Sequence, residues 1–372
     1  MVVKVAIFIM NVIYSLFKLF PTKNKIVFIS RQSDKPSLDF RMLKSEINKI
    51  NPNIKIVFLT KKMKKNIKEV FKSIGIIFCQ MYHLATSKIC VTDGYNIPIS
   101  VLKHKKSLKV VQIWHSLAAI KKFGYQSLQT NKQKEFAKLM KMHNNYDYII
   151  SGSDAMTPYF AKAFNYPEDK FVSLGLPRID YLLERSKINK KNILAKYPKF
   201  RNKKIILYVP TFRDNNNYKI NELIDEVDKN KYVLIIKKHP LMNYEVKESK
   251  NVYECNNFTS LQLLSVANYV ITDYSAISVE ASVLNKPLFI YAYDLEEYSK
   301  YPGINMDLKK DFKKYLFTDA KSLYKSLAKE KYDNKIVDNF QKKYVCNMNG
   351  TVTTELAKFI VERSVFNEKT NN

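Results

Sequence analysis

Glycine is scarce in this sequence, which has only seven glycines in 372 residues. None of them forms the G-x-G-x-x-G turn of dinucleotide-binding folds or the G-x-x-x-x-G-K-[ST] loop of P-loop enzymes. The H-E-x-x-H, G-x-S-x-G and C-x-x-C patterns are missing as well. The chemistry therefore rests on something other than a glycine-loop phosphate site, a zinc-protease motif, a nucleophile elbow or a reactive dithiol.

Cysteine is also rare, with four residues at Cys79, Cys90, Cys255 and Cys346. No pair has the spacing of a zinc site, and the separations do not suit a framework of small disulfide loops. We expect buried free thiols in a reducing compartment, and neither a bound metal nor a cofactor.

Acidic residues are outnumbered, since 34 Asp and Glu stand against 63 Lys and Arg, for a formal charge of +29. Such a surplus predicts an anionic partner: nucleic acid, an anionic membrane surface or a phosphorylated substrate. A compositional bias toward lysine and asparagine is the alternative explanation. The 25 Tyr and 22 Phe fall mostly within apolar runs, which argues against nucleic acid as the partner.

The first apolar run, residues 2–20, carries four polar side chains: Lys4, Asn11, Ser15 and Lys18. On a helix all four lie within a wedge of roughly 60°. A helix lying in the membrane interface needs such a polar stripe, and no small-residue cleavage site follows to indicate a signal peptide. We expect residues 1–22 to form an amphipathic membrane-associated helix. A spanning helix and a helix packed on the protein's own surface are the alternatives.

The rest of the chain alternates apolar runs with helical patterns, and its length favours two domains. The runs are continuous, as in parallel strands covered on both faces. Predicted strands cover residues 26–30, 54–60, 89–93, 110–114 and 148–152, then 205–210, 232–237, 269–273 and 287–292. Predicted helices include residues 38–50, 131–143, 259–267 and 275–284.

A charged stretch at residues 185–201 separates the two series of strands, so we place a boundary near 185–200. The alternation predicts an α/β protein with two Rossmann-like, doubly wound domains facing a central cleft. We assign residues 23–190 to the N-terminal domain, 191–345 to the C-terminal domain and 346–372 to a C-terminal helix.

Two predicted strands end in a histidine: His115 follows the run 110–114, and His239 follows the run 232–237. The carboxyl ends of strands in an open α/β sheet border the ligand crevice, where a neutral imidazole can accept a proton from an attacking hydroxyl. Lys121 and Lys122 are candidates to hold phosphate nearby. A histidine merely hydrogen-bonded in a loop is the alternative, though two such histidines are harder to dismiss than one.

The segment Thr272-Asp273-Tyr274-Ser275 lies between a predicted strand and a predicted helix. Asp273 or Ser275 can cap that helix, whose free backbone N–H groups can then bind a phosphate. Ser275 and Ser278 can add hydroxyl donors. A plain helix cap without a bound anion is the simpler alternative.

Two arginines complete the candidates. Arg213, which follows Thr211 after the run 205–210, can grip a phosphate bidentately, and Arg178 near the predicted boundary can do the same. A structural salt bridge is an equal alternative for each arginine.

In order along the chain, these segments resemble the motifs of the CDP-glycerol glycerophosphotransferase family of teichoic-acid synthesis. The family pattern is W-H-G-x-x-x-K, G-x-P-R-x-D, P-T-[WF]-R-D, x-x-H-P, T-D-Y-S-S, L-N-K-P and Y-D-x-x-x-Y. The matching residues here are 114–115, 175–180, 210–214, 238–240, 272–276, 284–287 and 293–298. Each motif is weak alone, but their shared order is specific, and the resemblance extends from about residue 24 to about residue 305.

This resemblance implies a GT-B-like enzyme with an N-terminal acceptor domain and a C-terminal CDP-donor domain. It implies transfer of glycerol phosphate from CDP-glycerol to a hydroxyl of a polyprenyl-diphosphate-linked saccharide, with release of CMP, at the cytoplasmic face of the cell membrane. His115 and His239 carry over as the essential histidines, and Asp273 and Ser275 as the donor-phosphate loop. The further expected contacts are Arg213, Thr272 and Ser278 for the donor phosphate, Glu280 and Thr211 for the ribose or donor, and Lys121, Lys122 and Arg178 for the acceptor or lipid phosphate.

Two positions depart from the family pattern. Ser116 replaces the glycine after the W-H pair, which allows an unusual acceptor, and Ala276 replaces the second serine of T-D-Y-S-S, which removes one hydroxyl donor. Three alternatives stay open: the same reaction with CDP-ribitol, a glycosyltransferase in which Glu280 holds the ribose of a nucleotide sugar, and a membrane-tethered scaffold with an inactive site.

Overall fold

The computed structural model describes residues 2–62, 67–213, 218–239, 241–242, 244–246 and 249–365. Asp214 and Pro240 of the motifs above lie outside the described residues, as do residues 366–372 of the predicted C-terminal helix.

The described residues form strands and helices in regular alternation. The strands are β1 (Lys23–Ser30), β2 (Lys55–Thr60), β3 (Ser87–Thr92), β4 (Lys109–Gln112), β5 (Tyr148–Ile150), β6 (Phe171–Val172), β7 (Lys204–Val209), β8 (Tyr232–Ile236), β9 (Val252–Tyr253), β10 (Tyr269–Thr272), β11 (Leu288–Tyr291) and β12 (Leu316–Phe317). The helices are α1 (Val2–Phe17), α2 (Leu38–Ile50), α3 (Ile67–Thr86), α4 (Ile97–Val101), α5 (Asn131–Leu139), α6 (Thr157–Phe164), α7 (Arg178–Lys196), α8 (Ile220–Glu226), α9 (Ser260–Leu263), α10 (Ile277–Val283), α11 (Leu295–Lys300), α12 (Leu308–Phe312), α13 (Ala320–Ala328), α14 (Asn334–Tyr344) and α15 (Val352–Val365).

The chain divides into two compact units. Unit 1 comprises residues 1–116, 124–178 and 351–372, and unit 2 comprises residues 117–123 and 179–350. The sequence-based boundary at residue 190 falls inside α7, which unit 2 contains almost entirely. Two segments therefore belong to a different unit than a single cut in the chain would give them: 117–123 and 351–372.

Unit 1 is built on a six-stranded parallel sheet in the order β2-β1-β3-β4-β5-β6. The interior strand β1 contains a fully buried apolar run at residues 26–29, because helices cover both faces of a parallel sheet. Polar side chains set the helix starts: the Ser37 hydroxyl accepts the Phe40 N–H ahead of α2, and Thr130 forms a capping box with Gln133 ahead of α5.

Unit 2 repeats this plan, with a six-stranded parallel sheet in the order β12-β11-β10-β7-β8-β9. The strands β7, β8, β10 and β11 are largely buried. The structure thus has the expected α/β architecture with two parallel sheets of Rossmann type.

Helix α1 packs on the rest of unit 1 through part of its polar stripe, namely Asn11 and Lys18, while Lys4 and Ser15 of the stripe are exposed. Asn11 accepts the Lys103 N–H at 2.9 Å and donates to the Val101 carbonyl at 3.2 Å. The buried Tyr14 hydroxyl lies 2.9 Å from His104 Nδ1. The opposite side of α1 is apolar and exposed. Among the helices of the described residues, none combines the length and apolar character needed to cross a membrane.

Helix α15 returns the end of the chain to unit 1. It lies against α2, where the Thr354 hydroxyl donates to Glu46 at 3.0 Å, and its Phe359 packs edge-on against Tyr148. The sequence predicts a helix in this region but contains no local signal for the place where it docks.

Candidate active site

Each sheet has one switch point, where the strand order reverses beside the first strand of the unit. In unit 1 it lies between β1 and β3, and in unit 2 between β7 and β10. Ligands of open α/β sheets bind outside the carboxyl ends of the strands at such points. The residues just after these strands are therefore candidates for ligand binding and catalysis.

His115 follows β4 and turns back toward the end of β3. Its Nδ1 lies 2.9 Å from the Asp93 carbonyl oxygen. Since a carbonyl can only accept, Nδ1 carries the proton and the lone pair of the neutral ring is on Nε2. Trp114, just before it, has the left-handed backbone angle φ = 54° that redirects the chain.

The environment of His115 favours the neutral ring. Desolvation by the surrounding protein lowers the pKa of His115 to about 4, and the Arg178 guanidinium adds to this, while the hydrogen bond to the Asp93 carbonyl opposes it. By its accessible surface, the His115 residue is nevertheless exposed to solvent. At neutral pH His115 is therefore an uncharged imidazole with a proton-accepting Nε2.

Asp93 is a buried carboxyl at the unit 1 switch point, with 2% of its surface exposed. The Ser30 hydroxyl at the end of β1 donates to its Oδ2 at 2.9 Å, and its Oδ1 has no hydrogen-bond partner among the described residues. Burial raises the pKa of Asp93 to about 7; the Ser30 bond opposes this rise and the nearby Asp39 carboxylate adds to it.

Arg178 pairs with a carboxylate rather than facing an open site. Its guanidinium donates to Asp39 Oδ2 at 2.6 Å, and its backbone N–H donates to Asp39 Oδ1 at 3.0 Å. This ion pair ties the start of α7 to the start of α2. The geometry is that of the structural salt bridge, and a role in binding acceptor phosphate stays a prediction.

Arg213 lies at the unit 2 switch point, with 5% of its surface exposed, and is held by two carboxylates. It donates through Nε to Asp294 at 2.6 Å and through a terminal nitrogen to Asp273 at 2.8 Å. Burial lowers the pKa of Arg213, but Asp294 and Asp273 raise it by more, so the net pKa lies above its usual range. The arginine thus joins the ends of β7, β10 and β11, and its predicted contact with a donor phosphate stays a prediction.

Neighbouring side chains complete this cluster. Thr211 donates to Asp273 from its backbone N–H and its hydroxyl, and the Tyr274 hydroxyl donates to Asp294 at 3.0 Å. The Tyr293 ring lies 4.4 Å from the Arg213 guanidinium carbon. Three of the sequence motifs, P-T-F-R, T-D-Y-S and Y-D-x-x-x-Y, therefore meet in one buried polar cluster.

His239 follows β8 in unit 2 and has the opposite ring chemistry to His115. Its Nδ1 accepts the Leu241 N–H at 3.2 Å, so the proton of the neutral ring is on Nε2. The ring lies beside Phe212, with centroids 5.8 Å apart, and is exposed. His239 is therefore built to donate a hydrogen bond from Nε2.

The start of α10 differs from the prediction. The residue before the helix is Ala276, and Asp273 does not cap it because its carboxylate is bound to Thr211 and Arg213. The amides of Ser278 and Val279 donate to the carbonyls of Ser275 and Ala276. Fewer amides face outward than an uncapped helix would offer, and a phosphate site here stays a prediction.

The remaining donor-side candidates are largely internal. The Thr272 hydroxyl donates to the Val209 carbonyl at 2.8 Å, and the Ser278 hydroxyl donates to the Ser275 carbonyl at 3.0 Å. Glu280 is buried within α10. The Ser275 hydroxyl accepts the Ile277 N–H at 3.4 Å.

Lys121 and Lys122 lie in unit 2, although the sequence assigned them to the acceptor side. Lys121 forms a β-bridge with Ile304, and the Lys122 N–H donates to the Gly303 carbonyl. Burial lowers the pKa of Lys121, and the Asp273 carboxylate opposes this. Lys121 therefore faces the Arg213 cluster.

Sequence reasoning missed Asp93, Ser30 and Arg31, which all lie at the unit 1 switch point. The sequence contains a signal for Asp93. Strand β3 ends at Thr92 and is followed by Asp93, just as β10 ends at Thr272 and is followed by Asp273. An acidic residue at the end of a predicted strand indicates a candidate site residue in the same way as a histidine in that position.

Comparison with known proteins agrees with the motif pattern. Residues 12–362 match the family described as CDP-Glycerol:Poly(glycerophosphate) glycerophosphotransferase. The chain is 29% identical to the teichoic acid ribitol-phosphate primase of Bacillus spizizenii, over 91% of this chain and 90% of that protein. It is 36% identical to the teichoic acid glycerol-phosphate primase of Bacillus subtilis, over 60% of each.

A solved structure shares the fold. The wall teichoic acid polymerase TagF superposes with a TM-score of 0.74 at 21% identity, covering 98% of this chain and 95% of that chain. At this level of identity the likeness concerns the architecture alone.

Proposed function

We propose that this chain, which belongs to the CDP-glycerol:poly(glycerophosphate) glycerophosphotransferase family, transfers a polyol phosphate from a CDP-polyol to a hydroxyl group of a lipid-linked saccharide. It is an enzyme of the teichoic acid polyol-phosphate transferases, as its relatives indicate. The acceptor in this proposal is a polyprenyl-diphosphate-linked saccharide, and the by-product is CMP.

One observation carries the proposal: the two strand-terminal histidines have complementary protonation. His115 holds its proton on Nδ1 against the Asp93 carbonyl, which leaves Nε2 as a base. His239 accepts the Leu241 N–H on Nδ1, which places the proton on Nε2. A phosphoryl transfer needs one group that accepts a proton and another that stabilises charge on the leaving group.

In the proposed reaction, His115 Nε2 takes the proton of the acceptor hydroxyl. The acceptor oxygen forms a bond to the polyol-side phosphorus, and the bond from that phosphorus to the oxygen of CMP breaks. His239 donates a hydrogen bond to the leaving phosphate as its negative charge develops. Donor-phosphate contacts from Ser275, Ser278 and the other predicted residues belong to this proposal.

The preferred donor is CDP-glycerol, which the family description names. CDP-ribitol is the second candidate, because the relative that matches across 91% of this chain is a ribitol-phosphate primase. The described residues that surround the two histidines do not distinguish the length of the polyol.

Peripheral attachment to the cytoplasmic face of the membrane completes the proposal. The apolar face of α1 exposes Phe8, Val12 and Leu16, while Asn11 on its other side hydrogen-bonds to the protein. On α3, Ile74 and Phe78 extend this exposed surface, and Phe17 packs against Phe78. A contiguous apolar surface on a protein of charge +29 suits an anionic bilayer.

A donor screen tests the reaction. Purified full-length protein would receive a lipid-diphosphate disaccharide with CDP-glycerol, CDP-ribitol or nucleotide sugars, and CMP or other nucleotide release would be measured. We expect acceptor-dependent CMP release with CDP-glycerol, or with CDP-ribitol if the second candidate is correct. Turnover of a nucleotide sugar without turnover of either CDP-polyol would overturn the proposal in favour of a glycosyltransferase.

A further inference from the structure

Arg31 is the first residue after β1, at the unit 1 switch point, and lies at the meeting of two cavities. The larger has a volume of about 430 Å³ and is mostly apolar, with walls that include Tyr95, Ile97, Phe136 and Met140. This volume is within the range of small-molecule sites, roughly 300–1,000 Å³. The cavity lies entirely within unit 1.

The guanidinium of Arg31 differs from the other site arginines because no carboxylate of the described residues pairs with it. Its one hydrogen bond in the described part of the chain is a long one of 3.5 Å to the Tyr95 carbonyl, and its buried Nε has no partner there. By contrast, Arg178 and Arg213 each donate to carboxylates at 2.6 Å. A cation that lacks an internal anion at the edge of an apolar cavity fits an anionic ligand from outside.

The second cavity, between Arg31 and α3, is small, with a volume of about 20 Å³. Ile76 and Ile77 of α3 line it, together with Lys61 and Asn96. The other side of α3 bears the exposed Ile74 and Phe78. Apolar side chains thus continue from the outer surface of α3 to the arginine.

Arg31 also lies close to the predicted chemistry. The next residue, Gln32, places its amide nitrogen 3.4 Å from His115 Nδ1. The backbone segment that carries Arg31 therefore adjoins the loop that carries the proposed base.

We propose that Arg31 and the cavity beside it bind a lipid in which an apolar chain is joined directly to a phosphate or diphosphate. Arg31 binds the anionic head, and the walls around Phe136 and Met140 bind the first part of the chain. This inference rests on the proposed function, since the lipid-linked acceptor has this chemistry, and it locates the subsite for the acceptor's lipid phosphate.

Direct binding tests the subsite without requiring turnover. Fluorescently labelled farnesyl diphosphate would be titrated against full-length protein, with unlabelled farnesyl diphosphate, farnesol and inorganic diphosphate as competitors. We expect farnesyl diphosphate to compete at least about tenfold better than either fragment, because the site needs both charge and chain. Equal competition by farnesol alone would assign the probe to the exposed apolar surface and overturn the proposal.

Variants locate the site. Arg31→Ala and Phe136→Asp should each weaken binding of the probe on the order of tenfold or more, and Arg31→Lys should restore part of the loss. Arg41→Ala and Ile188→Asp are matched controls, because Arg41 is an exposed arginine of α2 and Ile188 an exposed apolar residue of α7. Circular dichroism of every variant would establish that it is folded; unchanged binding by folded Arg31→Ala would overturn the proposal.

The same variants separate this subsite from the reaction itself. In the transfer assay Arg31→Ala should raise KM for the lipid-linked acceptor and leave KM for the CDP-polyol within twofold or so. If wild-type protein transfers polyol phosphate but Arg31→Ala has an unchanged acceptor KM, the subsite fails and the function stands. If the probe binds through Arg31 but no CDP-polyol is used, the subsite stands and the function fails.

Discussion

The two switch points of this protein contain the same Thr-Asp pair, but the two aspartates have different electrostatic partners. Strand β3 of unit 1 ends at Thr92 and strand β10 of unit 2 ends at Thr272, and an aspartate follows each: Asp93 and Asp273. Both aspartates are nearly inaccessible to solvent, at 2% and 0% exposure. Asp273 receives an arginine and a threonine, whereas Asp93 receives one serine hydroxyl.

This difference shows that the hydrogen-bond and ion-pair partners of a buried carboxyl, and not its burial alone, determine whether it forms an ion pair or binds a proton. In unit 2 the carboxylate is a structural anchor that joins neighbouring strand ends through Arg213. In unit 1 burial without a direct cation raises the pKa of Asp93 to about 7, beside the carbonyl that orients His115.

The largest expected effect is a loss of stability when the ion pairs of Arg213 in unit 2 are removed. Arg213→Ala leaves Asp273 and Asp294 buried without their cation and should lower the free energy of unfolding by about 3–5 kcal/mol. Urea denaturation followed by circular dichroism would measure it. Lys219→Ala, which removes an exposed pair with Glu222, serves as the control and should cost no more than about 1 kcal/mol. Equal losses in the two variants would contradict the anchor role.

The second effect concerns the reactive histidine of unit 1. His115→Ala should lower kcat on the order of a hundredfold or more while donor affinity is retained, because it removes a proton acceptor and no donor contact. Steady-state kinetics and equilibrium binding of the CDP-polyol would measure the two quantities. His83→Ala, a histidine of α3, is the matched control. Near-wild-type turnover by His115→Ala would remove it from the mechanism.

The third effect is a pH dependence of stability that we expect from Asp93. Because the folded pKa of Asp93 is about 7, above its unfolded value, the folded state holds a proton there that the unfolded state releases between about pH 4 and pH 7. Wild-type stability should therefore fall relative to Asp93→Asn as pH rises through this window, by on the order of 4 kcal/mol.

Urea titrations of both proteins at a series of pH values would measure this difference. Asp273→Asn supplies the comparison from unit 2, where loss of the ion pair to Arg213 should destabilise the protein at neutral pH. A constant difference between wild type and Asp93→Asn from pH 4 to pH 8 would rule out the proposed titration.

The smallest effect concerns the exposed apolar face of α1, a feature of unit 1. Leu16→Asp should reduce binding to anionic vesicles roughly tenfold, since it removes an exposed apolar side chain that would enter the bilayer and adds a charge that anionic lipids repel. Sedimentation with vesicles of stated lipid composition would measure the bound fraction. Ile188→Asp, the same change on α7 of unit 2, should bind as wild type does; a similar loss in both would point to charge alone.

Much of the scaffold could be predicted from the sequence because buried parallel strands are continuous apolar runs. The predicted strand at residues 110–114 overlaps β4, and the run at 232–237 contains β8, so the positions of His115 and His239 after strands followed directly. The helix α1 was predicted from the same kind of pattern. The face of α1 that docks on the protein was not predicted, because periodicity shows that a helix has an apolar and a polar face without showing which of them contacts the protein.

The candidate site was less predictable. The carboxylate partners of Arg213, Asp273 and Asp294, lie 60 and 81 residues further along the chain. The sequence left a salt bridge and a phosphate contact equally open for Arg213. Lys121 belongs to unit 2, and its predicted place on the acceptor side stays a prediction. No local pattern reveals such pairings, because each depends on which strand ends become neighbours.

The sequence by itself determined the two alternating series of strands and helices, the family motifs and the histidines at two strand ends. These properties are local, set by apolar periodicity and by the residue that follows each run. Only the tertiary structure decided which carboxyl received a cation, which nitrogen of each histidine carries the proton and which arginine was left at a cavity. Those properties depend on strand order and on hydrogen bonds between distant segments, and the same Thr-Asp pair therefore became an ion-pair anchor in one sheet and a proton-binding carboxyl in the other.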